Sequence, residues 1–150
     1  MNTMNRLVPG LALAVCWLFL LLYGPFQLFF LVMSLVIVVG GHEYMRMAFP
    51  DQGVWARIFL TSLVLLPALG VWFFPSLGLA GGLFLSLLLL TFYILSSYRL
   101  IQDPLLVFSR TFFGVGYVGF LGGHLLLLHQ MPEGNSWLLV LTAITAGSDS

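Results

Sequence analysis

Long apolar runs, separated by short polar or Gly-Pro breaks, constrain this chain more than any other feature. A helix that crosses a bilayer needs about 20 mainly apolar residues, because the hydrocarbon core is about 30 Å thick. Runs of that kind cover Leu7 to Tyr23, Phe26 to about Tyr44, Ile58 to Phe74, Leu77 to Ser96 and Thr111 to Leu128. A sixth begins at Trp137 and is still apolar at Ala146. Gly24-Pro25 and Pro75-Ser76 punctuate the series, and Pro67 falls mid-run, where a kink is expected. Composition agrees: 61% of the 150 residues are apolar and 7% charged, against about 25% charged in soluble domains. The expectation is an all-α fold, a polytopic transmembrane helical bundle of about six helices.

The arginines orient it. There are five of them and no lysine. Arg6 precedes the first run, Arg46 and Arg57 bracket the loop between the second and third, and Arg99 and Arg110 bracket the loop between the fourth and fifth. The alternate connections, Gly24-Pro25, Pro75-Ser76 and His129 to Ser136, carry no Lys or Arg. Every cation thus falls on one side, which the positive-inside rule makes cytoplasmic, N-terminus included. Tyr44, Trp55, Trp72, Tyr98 and Trp137 lie near run ends, where an interfacial aromatic belt belongs. A net charge of zero argues against nucleic acid as a partner.

Arg6 and the first apolar run have the charge order of a signal peptide, but no small-x-small cleavage site closes it. The segment is read as a retained helix. Cys16, the single cysteine, is read as a buried small hydrophobe.

Chemistry-bearing residues are few. Thr142, Thr145 and Asp149 are spaced three and four apart and share one face of the last helix. Asp149 is either a functional carboxylate or a solvated charge at a helix end. Glu43 either pairs with Arg46 three residues on or lines a cytoplasmic cavity together with Asp149. Gly116, Gly119 and Gly123 form a small-residue stripe suited to close helix packing. His124 and His129, five apart, share a face too poorly to chelate a metal and are read as interfacial polar residues. The alternate acidic residues Asp51 and Asp103 fall in the arginine-rich loops, and Glu133 on the opposite side.

Three stretches carry a resemblance. Arg6-Leu7, then a helix, Tyr23-Gly24-Pro25-Phe26, a second helix and Glu43-Tyr44 form the first. Phe113-Gly114-Val115-Gly116-Tyr117-Val118-Gly119 is the second, and Trp137-Leu138-Leu139 leading to Ala146-Gly147-Ser148-Asp149-Ser150 the third. Together they resemble the phosphatidate cytidylyltransferases, also called CDP-diacylglycerol synthases, along the whole chain. In that family the Asp-Ser step continues into Gly-Ala-Tyr and about as much chain again, which holds most of the metal-binding carboxylates. By that resemblance residues 1–150 are the N-terminal transmembrane region of a longer enzyme, inactive alone.

The resemblance implies that CTP and phosphatidic acid are joined to give CDP-diacylglycerol and pyrophosphate, with Mg²⁺ as cofactor. It carries over Asp149 as a catalytic and metal-binding residue, and Glu43 as a second catalytic carboxylate. The implied partners are CTP, phosphatidic acid, the lipid bilayer and a second copy of the chain, in the cell's inner membrane. Arg99 or Arg110 would attract the lipid headgroup, although topology already accounts for both. A small transporter and a purely structural assembly subunit are the rival classes. A transporter would usually place ionisable groups nearer the bilayer midplane, where the sequence has none.

Overall fold

The computed structural model describes residues 4–73 and 76–148, with side chains from Ala14 onward. Among the described residues there is helix and no strand. The helices are α1 (Met4–Tyr23), α2 (Phe26–Ala48), α3 (Val54–Phe73), α4 (Gly78–Ser96), α5 (Pro104–Gln130) and α6 (Gly134–Ser148). Helices α2 to α5 are each long and apolar enough to cross a membrane. Helix α6, with 15 described residues, rises about 22 Å and falls short of that span.

Lipid is the solvent the outer faces are built for. Phe84, Phe92 and Leu95 of α4 are 69%, 69% and 70% exposed, and no soluble protein would present such a row to water. The chain is a membrane protein. Trp55, Trp72, Tyr98 and Trp137 are also exposed near helix ends, as the aromatic-belt expectation required. Tyr44 differs: its hydroxyl turns inward and donates to the Arg110 carbonyl at 2.9 Å.

Two compact units divide the chain, Val32–Leu127 and the pairing of Met1–Leu31 with Leu128–Ser150. In the first, α3 and α4 form a hairpin whose backbones touch through glycine. A Cβ on Gly70 would lie 2.8 Å from the Gly82 nitrogen, and one on Gly82 would lie 2.8 Å from the Pro67 Cα. Pro67 is buried at this contact, and α3 continues through it to Phe73. In lipid, where no hydrophobic effect drives helices together, such close approach supplies the van der Waals attraction that does.

Helix α5 departs from the regular period. Residues Val115–Phe120 form a π turn, which inserts one extra residue into the ladder. The small-residue stripe therefore shifts. Gly119 abuts the Val64 carbonyl and Gly123 the Leu79 side chain, as expected, but a Cβ on Gly116 would meet nothing within 4 Å. Gly114 takes its place, held against Tyr44 and Met45. A spacing of five and then four is what a π turn followed by an α turn brings onto one face.

In the second unit, Trp17 of α1 donates through Nε1 to Thr142 Oγ1 of α6 at 3.1 Å. Its ring lies 6.0 Å from Phe29, and Phe29 in turn stacks on His129 at 4.4 Å. His129 is thus packed against an aromatic ring rather than standing free at the interface. Cys16 is exposed, not buried. A small apolar side chain needs no protein cover when its surroundings are hydrocarbon.

Candidate functional site

Every helix end must satisfy backbone groups that the helix itself leaves unpaired, and the loop-side ends of α2 and α5 do so together. Asp103 opens α5 from an extended backbone conformation, and its carboxylate accepts the Leu106 N–H at 3.0 Å. Pro104 follows in the first turn, where its missing N–H costs nothing. Two turns on, Arg110 reaches across to α2 and donates to the carbonyl of Ala48, the last residue of that helix. Its guanidinium stands 6.0 Å over the Phe49 ring. A cation at a helix C-terminus also complements the helix dipole.

These contacts hold the α2–α3 loop beside the α4–α5 loop, and a cavity of about 400 Å³ opens between them. Asp51, Gln52 and Gly53 line it from one loop, Gln102 and Asp103 from the other, and Val107 and Arg110 from α5. Both arginine-bracketed loops therefore lie at the same end of their helices, as the alternating charge pattern requires. The cavity is polar, lined by two carboxylates, two amides and a guanidinium, and sized for a small polar molecule or part of a larger one.

The residues singled out from sequence are placed as follows. Asp149 lies outside the described residues. Glu43 is exposed on α2 and does not line the cavity. Among the described residues it makes no ion pair, so the expected Glu43–Arg46 bridge is not formed. Two charges in the high dielectric of an exposed helix end gain too little to fix both side chains. Thr142 donates to Leu138 O and accepts from Trp17, while Thr145 donates to Leu141 O, each back-bond at 2.8 Å. Both hydroxyls already have partners within the fold. Among the cavity's polar residues, Gln52 and Gln102 carry no sequence signal, whereas Asp103-Pro104 is a helix-start signal seven residues before the apolar run at Thr111.

Among the described residues, no three His, Cys, Asp or Glu side chains gather to hold a metal ion. One oxygen of Asp103 is committed to its helix cap. A metal site built from three such protein ligands is therefore not formed among the described residues.

Comparison with curated proteins and with solved structures gave no match. The sequence model of the cytidylyltransferase family, by contrast, matches residues 4–150. Taken with the helices suited to lipid and a polar cavity at their charged end, that match means the chain belongs to the cytidylyltransferase family, nucleotidyltransferases of lipid biosynthesis that use CTP.

Proposed function

We propose that this chain forms the multi-pass membrane part of a phosphatidate cytidylyltransferase, which makes CDP-diacylglycerol and pyrophosphate from CTP and phosphatidic acid. The family match over residues 4–150 carries the reading. It favours an enzyme over the transporter and the assembly subunit. The cavity supports it: CTP is cytosolic, and the positive-inside rule assigns the loops carrying Arg46, Arg57, Arg99 and Arg110 to the cytoplasmic side of the membrane, which we take to be the cell's inner membrane.

The work assigned to this chain is positioning. Its cationic helix ends raise the local concentration of anionic substrates, and the polar cavity offers amide and carboxylate groups to a nucleotide arriving from water. Asp149 adds a carboxylate toward Mg²⁺, which the family resemblance implies as cofactor. The test uses protein purified from membranes and supplied with CTP, Mg²⁺ and a panel of lipid phosphates. Pyrophosphate release that needs phosphatidic acid supports the reading, and release with another lipid phosphate alone refutes the substrate while keeping the class.

A further inference from the structure

Opposite charges that share a cavity without pairing leave room for something between them. Asp103 and Arg110 both line the cavity between the α2–α3 and α4–α5 loops, and among the described residues they form no ion pair with each other. Each is held by the fold instead. Asp103 Oδ1 accepts the Leu106 N–H at 3.0 Å, which orients the carboxylate and leaves Oδ2 with no partner among the described residues. Arg110 donates through Nη1 to the Ala48 carbonyl, with its guanidinium over the Phe49 ring. Its other N–H groups meet no acceptor among the described residues. The cavity wall therefore carries one oriented acceptor and one oriented donor.

Their spacing and surroundings narrow the ligand. Asp103 caps α5 and Arg110 lies two turns along it, a rise of about 10.5 Å. An intrahelical ion pair would be three or four residues apart. Seven suits one small planar ring with a hydrogen bond of about 2.9 Å at each end. The side chains of Asp51, Gln52 and Gln102 also line the cavity and make no hydrogen bond among the described residues. With Asp51 and Asp103 against Arg110, the lining carries a net negative charge. It repels a triphosphate and suits the uncharged part of a nucleotide, the base.

We propose that this cavity reads the cytosine base, with Asp103 accepting from the 4-amino group and Arg110 donating to the ring acceptors N3 and O2. The inference rests on the cytidylyltransferase reading and adds which part of CTP docks here and what separates it from UTP. Cytosine presents a donor beside two acceptors. Uracil puts a carbonyl oxygen where cytosine has its amino group, and that oxygen would face the Asp103 carboxylate, acceptor against acceptor. A carboxylate is also the side-chain acceptor that recognises the cytosine amino group in DNA. Asp51 is the other carboxylate in the cavity, but no hydrogen bond orients it, so its use would cost an ordering that Asp103 has already undergone.

The test titrates the purified chain in mild detergent, by calorimetry, with cytidine and uridine, which have no phosphate, and with tripolyphosphate, which has no base. Wild type is expected to bind cytidine about tenfold tighter than uridine, without competition from tripolyphosphate. Asp103→Asn is the decisive variant. Asparagine keeps the helix cap by offering its carbonyl oxygen to the Leu106 N–H, which leaves its NH₂ group to the cavity. Cytidine binding should fall about tenfold and uridine binding rise, so that the preference disappears or reverses while the melting temperature stays close to wild type. Arg110→Gln should weaken both nucleosides several-fold, since both present O2, and its melting temperature reports any loss of the tie to α2. Binding of neither nucleoside by wild type, or of both equally, overturns the proposal. So do displacement of cytidine by tripolyphosphate, an unchanged preference in Asp103→Asn, and a reversal produced by Asp51→Asn instead. Turnover of phosphatidic acid with CTP and with UTP is measured separately on protein purified from membranes. Turnover that keeps its CTP preference in Asp103→Asn overturns this inference and leaves the enzymatic reading standing. A cytidine preference reversed by Asp103→Asn, without turnover of phosphatidic acid, upholds the base site and overturns that reading.

Discussion

Substituting alanine at Gly119 and at Gly116 should have opposite effects, although the two glycines are three residues apart on one helix. At Gly119 the new methyl runs into the Val64 carbonyl and comes 3.1 Å from its carbon and 3.4 Å from Pro67 Cγ. The obstacle is backbone, so no side-chain rotation relieves it, and α5 has to move away from α3 by roughly 1 Å. A gap of that size forfeits a quarter to a half of each affected contact, each worth about 0.1–0.2 kcal/mol. Over some tens of atom pairs the loss is about 2–3 kcal/mol, within the usual cost of overpacking. Alanine's better helix propensity returns about 1 kcal/mol, leaving a net destabilisation of about 1–2 kcal/mol. At Gly116 the methyl meets nothing within 4 Å, so only the propensity gain of about 1 kcal/mol remains. At about 2–4 °C per kcal/mol for a chain of this length, the melting temperatures should differ by about 4–12 °C. The assay is thermal unfolding of the two variants and wild type in one detergent, followed by size-exclusion chromatography of the soluble fraction. If Gly119→Ala is as stable as Gly116→Ala, the π-turn register of the glycine face is wrong.

Other consequences are equally direct. Single cysteines at Gln52, Gln102 and Asn135 in a Cys16→Ala background should react with an impermeant thiol reagent on intact cells only at position 135; labelling at 52 or 102 alone would invert the topology. Asp103→Ala should cost about 0.5–2 kcal/mol, the usual worth of an N-cap, and Asp103→Asn much less, as read by denaturant titration in detergent. In a chain that continues beyond Ser150, Asp149→Asn should lower turnover by orders of magnitude with normal membrane levels, since loss of one preorganised electrostatic contact costs roughly 2.7–4 kcal/mol. Near-normal turnover would remove Asp149 from the site.

The apolar runs and the arginines determined much of this protein without any coordinates. Lipid permits only helices or closed barrels, so runs of the right length had to be helices, and breaks such as Gly24-Pro25 had to end them. Helix ends were less legible. Helix α5 starts at Pro104 rather than Thr111, and α3 at Val54 rather than Ile58, because polar residues at the headgroup level lie in helix as readily as apolar ones. Tertiary structure alone decided which glycines touch: the π turn in α5 exchanged Gly116 for Gly114, and hydropathy carries no trace of one inserted residue. It also decided where polar groups meet. Asp51 and Asp103 are far apart in sequence and become neighbours of one cavity only because Arg110 ties α5 to the end of α2. The unpaired hydroxyls of Thr61 and Thr111 were the least visible of all, since whether a threonine bonds its own helix depends on what packs around it, not on its place in the chain.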